Sequence, residues 1–135
     1  MRLDVSVNLL TMQALLRKKI NVFGGNQTRP NINIHDMVRV YQHFIMNKNI
    51  NSGFYNAGFE NISILEIAKK IQKKISSEIN LTSSNDPRSY RQNSDKLLAT
   101  GFKQKFKVDD AIDEIAQKFR AGELADKEIF YNVKI

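Results

Sequence analysis

Residues 21–44 read NVFGGNQTRPNINIHDMVRVYQHF, and this stretch shows how strand and helix alternate in the chain. It begins with a β-branched and aromatic segment that a Gly-Gly pair ends in a turn. Ile32 and Ile34 then alternate with asparagines, which predicts a short strand. Asp36 follows, and we expect it to cap the next helix because aspartate is a favoured N-cap residue. Arg29 precedes a proline and therefore lies outside a helix, in a loop position from which side chains often contact ligands.

The same alternation continues along the whole chain. Ser63 with Glu66 forms the S-x-x-E capping box that marks a helix start, and the isoleucines that follow recur at helical spacing. Residues 83–93 form a polar loop with a strand-like centre. Because helices alternate with short strands and no repeat or linker interrupts them, the sequence predicts one α/β domain over residues 1–135. The predicted helices are 4–18, 36–47, 63–75, 94–100 and 108–120, and the predicted strands are 20–23, 32–34, 54–57 and 78–82.

Composition restricts the kinds of site that the chain can hold. A length of 135 residues with 41% hydrophobic and 26% charged residues is typical of a single globular domain. The sequence contains no cysteine, which excludes disulfides, thiolate metal sites and cysteine catalysis. His35 and His43 stand without a carboxylate-rich frame, so we expect no metal site. No long apolar run and no signal-peptide pattern is present, which predicts a cytoplasmic protein with no membrane partner.

The formal net charge of +7 favours anionic partners such as phosphorylated metabolites. The basic residues are scattered, however, and no run of them reaches five. No aromatic stacking residues interleave with them, so the pattern differs from that of a nucleic-acid-binding surface. Most of these charges are therefore interpreted as solvated helix faces, and no nucleic-acid partner is expected.

Four segments of the sequence carry motifs that occur together, in the same order, in one enzyme family. Residues 22–41, VFGGNQTRPNINIHDMVRVY, are similar to the pattern G-x-x-x-x-R-D-[FY]-I-H-V-x-D. Residues 53–71, GFYNAGFENISILEIAKKI, are similar to Y-N-x-G-x-x-x-x-S-[IV]-x-E-[LI]-A. Residues 86–114, DPRSYRQNSDKLLATGFKQKFKVDDAIDE, are similar to a closing segment of arginine, strand, short helix, L-G-[WF]-x-P and final helix. With R-x-D-x-x-V-N at residues 2–8, these segments resemble the extended short-chain dehydrogenase/reductases.

Members of that family are NAD-dependent sugar-nucleotide epimerases, dehydratases and reductases. The resemblance implies that this chain has the fold of their C-terminal, substrate-binding part, within a Rossmann-type α/β architecture. Two motifs of the family's cofactor-binding half are absent from the sequence. It contains no G-x-x-G-x-x-G turn to approach a pyrophosphate, and none of its four tyrosines has a lysine four residues later. We therefore expect no catalytic residue and no bound cofactor in this chain, with NAD(P) bound by the complete family enzyme.

The resemblance also implies which side chains bind substrate. Arg29 matches the family arginine that contacts the diphosphate of a sugar nucleotide, and a guanidinium suits phosphate because it stays charged and binds bidentately. Arg88 is the second phosphate candidate; because the loop is shorter than in the family, Arg91 is an alternative. Asn8 matches an asparagine that holds the diphosphate. Asn31 stands where the family has an aromatic residue and is counted among the predicted substrate contacts.

Two functions from different classes follow. The first is sugar-nucleotide recognition by the C-terminal portion of an NAD-dependent epimerase or dehydratase, not catalytic alone, either truncated or split from a separate N-terminal Rossmann chain. The alternative is a non-catalytic α/β binding or interaction module that retains the fold only. Helix 36–47 and strand 54–57 would expose apolar side chains and a strand edge, which predicts a homo-oligomer, most simply a dimer. The residues present specify neither the sugar and base nor the choice between isomerase, dehydratase and reductase chemistry.

Overall fold

The computed structural model describes residues 2–132, so Met1 and residues 133–135 of the predicted domain lie outside it. The described chain contains helices and short strands in alternation, and the α/β class predicted from the sequence is confirmed. In chain order the elements are α1 Ser6–Arg17, β1 Lys19–Phe23, β2 Thr28–Asn31, α2 Ile34–Met46, β3 Glu60–Ser63, α3 Ile64–Lys74, β4 Glu78–Thr82, α4 Asp95–Leu98, α5 Val108–Arg120 and a 3₁₀-helix Glu128–Phe130.

The strands form two separate two-stranded sheets. β1 and β4 pair in parallel, beginning with Lys19 opposite Glu78. A parallel pair needs a crossover connection, and α3, which lies in that connection, packs on this sheet. β2 and β3 pair antiparallel, which puts Arg29 opposite Ile62.

The main hydrophobic core lies where α1, α3 and α5 pack against one another and against β1. Each helix contributes an apolar stripe, and burying such a stripe contributes roughly 25 cal/mol for each Å² removed from water. A second, smaller core joins α2 to α4 and to the residues that flank α4 and β3. The main core includes Leu3, Met12, Ile20, Val22, Ile67, Ile71 and Ile112, and the second is centred on Val40, Leu97 and Phe102.

The start of α3 agrees with the predicted capping box. The Ser63 hydroxyl accepts the Glu66 backbone N–H at 3.2 Å, and the Glu66 carboxylate accepts the Ser63 N–H at 2.7 Å. These reciprocal bonds satisfy donors that a helix start leaves free, and the bond from the Ser63 N–H lowers the pKa of Glu66. The helices predicted at 4–18 and 108–120 and the strand at 78–82 are likewise confirmed, with small shifts of their ends.

The prediction that Asp36 caps α2 was wrong. The cap is Asn33, whose side-chain oxygen accepts a backbone N–H of the first turn at 2.9 Å. Asp36 lies inside the helix and is fully buried. Its carboxylate accepts the backbone N–H groups of Lys105 and Phe106, at 3.0 and 2.8 Å, and pairs with Arg39. A buried carboxylate needs such partners. Here these bonds attach the segment after α4 to helix α2.

The second strand lies earlier than predicted. It is Thr28–Asn31 and contains Pro30, whereas Ile32 and Ile34 lie beyond it. Proline has no N–H to donate and is tolerated here because β2 has a strand partner on one side only. Ile32 packs against the second core instead, and α2 begins at Ile34.

Residues 54–57 form no strand in the described part of the chain, contrary to prediction, and residues 83–93 form the predicted loop but without a strand at its centre. In the first segment Tyr55 and Ala57 pack against the second core, and no strand of the described chain pairs with this segment. The 83–93 loop follows β2 through isolated bonds, among them one from the Tyr90 N–H to the Thr28 carbonyl at 3.2 Å. Both segments are therefore held by side chains and single backbone bonds.

Among residues 2–132, no helix combines the length and apolar character needed to cross a membrane. The same described range contains no group of three or more His, Asp or Glu side chains placed to hold a metal ion. His43 lies 2.8 Å from the Thr100 hydroxyl, and His35 lies 3.2 Å from the Glu114 carboxylate. Each histidine thus connects two elements of the fold.

Replacing Asp36 should destabilise the fold far more than replacing the true cap. Asp36→Ala leaves two backbone N–H groups and a guanidinium without their buried acceptor, so we expect a loss of about 3 kcal/mol or more. Asn33→Ala removes one capping bond and should cost about 1 kcal/mol. Urea unfolding followed by far-UV circular dichroism measures both losses. Equal losses would mean that Asp36 acts only as a charge near the helix start.

Candidate functional site

A cavity of about 850 Å³ lies between the start of α1, β2, the start of α2 and one side of α5. This volume is in the range of small-molecule sites, which are mostly apolar with a few polar groups that fix orientation. This lining is more polar than that, with as many polar residues as apolar ones. Its apolar residues are Val5, Val7, Pro30, Ile32, Ile34, Met37, Val108, Ala111 and Ile115, and its polar residues are Arg2, Asp4, Ser6, Asn8, Arg29, Asn31, Asn33, Tyr90 and Glu114.

The cavity brings together three predicted substrate contacts, Asn8, Arg29 and Asn31. The Asn8 amide donates to the Arg2 carbonyl at 2.6 Å and so holds the N-terminal segment on α1. The Asn31 amide donates to the Arg29 carbonyl at 2.8 Å and to the Glu60 carbonyl at 3.1 Å, which fastens β2 to β3. Both asparagines thus support the fold as well as the cavity wall.

Arg29 is held from several directions. Its Nη1 donates to the carbonyl oxygens of Thr28 and Arg88, at 3.0 and 2.5 Å. The guanidinium carbon lies 4.9 Å from the centre of the Tyr90 ring, a cation–π contact. Nη2 lies 3.7 Å from the Asp86 carboxylate. Within the described chain Nε and Nη2 make no hydrogen bond, so these donors remain for a ligand.

Arg88 lies beside Arg29 but outside the cavity lining, with 77% of its side chain exposed. Its Nε and Nη2 donate to the two oxygens of Asp86, at 2.7 and 2.9 Å. These bonds lower the pKa of the Asp86 carboxyl to about 2, with a smaller effect from the charge of Arg29. The two arginines that the resemblance assigned to phosphate therefore converge on one carboxylate. Sequence reasoning missed Asp86; the signal it offered was a carboxylate two residues before Arg88.

Arg91, the alternative phosphate contact, lies elsewhere. It lines a shallower cavity of about 450 Å³ together with Asn61 and Gln104. Its neighbour Tyr90 lines the larger cavity, so adjacent side chains of this loop enter different cavities. Sequence reasoning also missed Tyr90, because nothing in the 83–93 loop indicates which side chains point toward β2. The structure places Arg88, and not Arg91, beside Arg29.

The start of α1 adds positive potential to the larger cavity. No side chain caps this helix, and its first turn contains no acidic residue. Ser6, Val7 and Asn8 of that turn line the cavity. Backbone N–H groups at a helix start favour anions because they are free donors and because the helix dipole is positive there.

Each carboxylate in the lining is bonded to a basic side chain. Asp4 accepts two bonds from Arg2, at 2.9 and 3.0 Å, and these bonds lower the pKa of Asp4 to about 2. Glu114 lies 3.2 Å from Nε2 of His35. The ion pair with Arg2 reduces the repulsion between Asp4 and an anionic ligand. The lining is thus compatible with a negatively charged ligand.

The glycine pair between β1 and β2 does not form a dinucleotide cradle. Gly24 and Gly25 have φ values of +77° and +86°, and they turn the chain toward a strand, so no helix start follows them. A Cβ on Gly25 would lie 3.1 Å from a Leu81 methyl carbon and 3.2 Å from the Cβ of Leu65. Gly25 is therefore needed for packing. These residues do not fit the pyrophosphate of NAD, in agreement with the motifs that the sequence lacks.

No protein-family model matches the chain. The fold is similar to that of ADP-L-glycero-D-manno-heptose-6-epimerase from Helicobacter pylori, with a TM-score of 0.71, 18% sequence identity, and coverage of 85% of this chain and 37% of that one. For dTDP-glucose 4,6-dehydratase from Bacillus anthracis, solved in complex with NAD, the TM-score is 0.73 and the sequence identity 20%, over 90% of this chain and 41% of that one. For UDP-N-acetylglucosamine 4-epimerase from Bacillus cereus the TM-score is 0.72 and the sequence identity 20%, over 96% of this chain and 44% of that one.

These three structures are extended short-chain dehydrogenase/reductases. The predicted fold, that of the C-terminal part of such an enzyme, is therefore confirmed. Identities of 18–20% show a common fold and no more. The chain spans about two fifths of the length of each of these structures.

Arg29 and Arg88 should contribute unequally to stability. Arg29→Ala removes two hydrogen bonds to carbonyl groups and the contact with Tyr90, so we expect a loss of about 2 kcal/mol. Arg88→Ala removes an exposed ion pair, and the urea midpoint should not change measurably. Urea unfolding of the two variants provides the comparison. A larger loss for Arg88→Ala would show that Arg29 does not hold β2 to the loop.

Proposed function

We propose that this chain is the sugar-nucleotide-binding portion of an NAD-dependent nucleotide-sugar epimerase or dehydratase and is not catalytic alone. The observation that carries this proposal is the convergence of Arg29 and Arg88 beside a cavity of about 850 Å³. The fold shared with sugar-nucleotide enzymes supports it. Hydride transfer in the complete enzyme is the chemistry of NAD(P), and the motifs that bind NAD(P) are not among these residues.

The proposed ligand is a nucleoside diphosphate sugar. Its diphosphate binds between the Arg29 guanidinium and the first turn of α1, which line the same cavity and supply a fixed cation and free N–H donors. Arg88 adds a second guanidinium from the 83–93 loop. The apolar wall suits the base and the faces of the sugar, and the side-chain oxygens of Asn8 and Asn31 accept bonds from hydroxyl groups.

The cofactor-binding half belongs, in this proposal, to a longer polypeptide or to a separate N-terminal Rossmann chain in the cytoplasm. The length of this chain supports the proposal, because the chain covers only 37–44% of the length of three similar structures. In both versions the described residues bind and orient the substrate. An upstream reading frame that encodes G-x-x-G-x-x-G and Y-x-x-x-K would identify the other half.

The second candidate is a non-catalytic α/β binding or interaction module that retains only the fold. One observation favours it: the predicted contacts already have partners inside the fold. The Asn31 amide bonds to two carbonyl groups, and so does Nη1 of Arg29. Side chains with such structural roles would be retained without any ligand. Binding measurements separate the two candidates.

Nucleotide sugars should bind weakly and through the two arginines. We expect UDP- or GDP-sugars to bind in the millimolar range, about −4 kcal/mol, because part of the pocket wall belongs to the cofactor-binding half. Arg29→Ala and Arg88→Ala should each weaken binding about tenfold, since each removes a charge-assisted donor. NMR titration with UDP-glucose and GDP-mannose measures these changes.

Arg91→Ala is the matched control for this experiment, because it removes the same charge from the same loop but lines a different cavity. Equal affinities for the wild type, Arg29→Ala and Arg88→Ala would reject the phosphate assignment and favour the non-catalytic module. NAD⁺ is the second control. Micromolar binding of NAD⁺ would contradict the expectation, based on the missing glycine motif, that this chain binds no NAD(P).

We also propose that the chain forms a homodimer through α2. One face of this helix carries an exposed apolar stripe, and such stripes are typical of interaction sites. Its members are Ile34, Val38, Tyr41 and Ile45, which are 65%, 49%, 66% and 74% exposed. The stripe is smaller than the patch predicted from the sequence, because Val40 and Phe44 pack into the second core. Symmetric dimers are the commonest closed assemblies, and one stripe can face its own copy.

A charge in the middle of the stripe should dissociate this dimer. We expect the wild type to sediment as a dimer at micromolar concentration and Tyr41→Lys to sediment as a monomer, because a lysine in a helix–helix contact must lose its hydration. Gln117→Lys adds the same charge to an exposed position of α5, on a different helix, and should remain dimeric. Sedimentation velocity measures all three. A monomeric wild type would show that the stripe is not a self-association surface.

A further inference from the structure

One carboxylate contacts both of the arginines assigned to the ligand. Asp86 accepts two hydrogen bonds from the Arg88 side chain, at 2.7 and 2.9 Å, and a third from the Arg88 backbone N–H at 3.1 Å. It also lies 3.7 Å from Nη2 of Arg29, a donor with no hydrogen bond in the described part of the chain. A carboxylate and a phosphate present paired oxygens to a guanidinium in the same way. Asp86 therefore occupies the position where an anionic ligand would meet both arginines.

We propose that Asp86 is an internal anion that the phosphate of a bound ligand displaces, so that Asp86 limits the affinity of the site. The proposal rests on the proposed function for the identity of the ligand, a nucleoside diphosphate sugar. Its own requirement is only a phosphate or diphosphate group. Displacement exchanges one anion for another at the same two cations, so no buried charge is left without a partner.

The surroundings of Asp86 permit this exchange. Arg29 is the fixed partner, because two carbonyl groups hold its Nη1 and the Tyr90 ring covers one face. Arg88 is the exposed partner, with 77% of its side chain open to solvent and its side-chain hydrogen bonds made to Asp86. The Asp86 N–H donates to the Ser84 hydroxyl at 3.2 Å, an exposed contact within the same loop. Rotation of the Asp86 side chain toward solvent therefore disturbs no strand and no helix.

Removing the charge of Asp86 should tighten the binding of inorganic pyrophosphate. We expect Asp86→Asn to lower its dissociation constant about two- to fivefold, the size of effect that exposed ion pairs have. Glu123→Gln is the matched control, because it removes one exposed carboxylate that pairs with Lys118 at 3.8 Å. Adding Arg88→Ala to Asp86→Asn should abolish the gain. NMR titration with pyrophosphate measures each constant.

An affinity of Asp86→Asn equal to or weaker than that of Glu123→Gln, repeated with Asp86→Ser, would overturn the proposal. Titration with UDP-glucose separates that result from the fate of the proposed function. Tighter pyrophosphate binding by Asp86→Asn, with no UDP-glucose binding by any variant, supports the internal anion and rejects the nucleotide-sugar function. UDP-glucose binding by the wild type, with a pyrophosphate affinity that Asp86→Asn leaves unchanged, retains that function and rejects the internal anion.

Discussion

β2 and β3 are short, yet their pairing positions both the start of α3 and the candidate site. The antiparallel register puts Arg29 opposite Ile62 and ends β3 at Ser63, the residue that caps α3. The 83–93 loop bonds to the same pair of strands, through Tyr90 to Thr28 in β2 and through side chains to β3. The β2–β3 pair therefore positions the Arg29 guanidinium, the Tyr90 ring that covers it and the Asp86 carboxylate beside it. Loss of this register would separate all three groups.

The sequence predicts those parts of the fold whose signals are local. The capping box of Ser63 and Glu66 involves residues only three apart, and the helix that it predicts is present. The helix predicted from the apolar spacing at 108–120 is present too. The parallel strand at 78–82 also has a local signal, a short β-prone run between polar segments. The resemblance of ordered motifs then extends these local elements to the C-terminal part of a known fold, as the similar structures show.

What the sequence did not predict depends on contacts between distant residues. Asp36 has the local signature of a helix cap, but its carboxylate is used by N–H groups of Lys105 and Phe106. Residues 54–57 have strand-like composition and find no strand to pair with in the described chain. Of the candidate site, the sequence indicated Arg29, Asn8 and Asn31, which do line one cavity. It also indicated Arg88 of the 83–93 loop, but not Tyr90 or Asp86, because that loop is shaped by side-chain bonds to β2 and β3.

The strand edge predicted at residues 54–57 is absent from the described chain, because those residues form no strand. The helix face predicted to need a partner and the open edge of β1 differ in how far the chain satisfies them itself. At the open edge of β1 the Asn21 N–H donates to the Gln13 side chain at 2.9 Å, and the Phe23 carbonyl accepts the Gly25 N–H at 3.0 Å. On the outer face of the same sheet the Asn80 amide donates to Asn21 at 3.0 Å. Polar groups are satisfied by such nearby bonds, whereas apolar surface leaves water only by packing. The stripe on α2 has no comparable compensation among the described residues. The helix face, and not the strand edge, is therefore the surface at which a second copy or a cofactor-binding half would gain most.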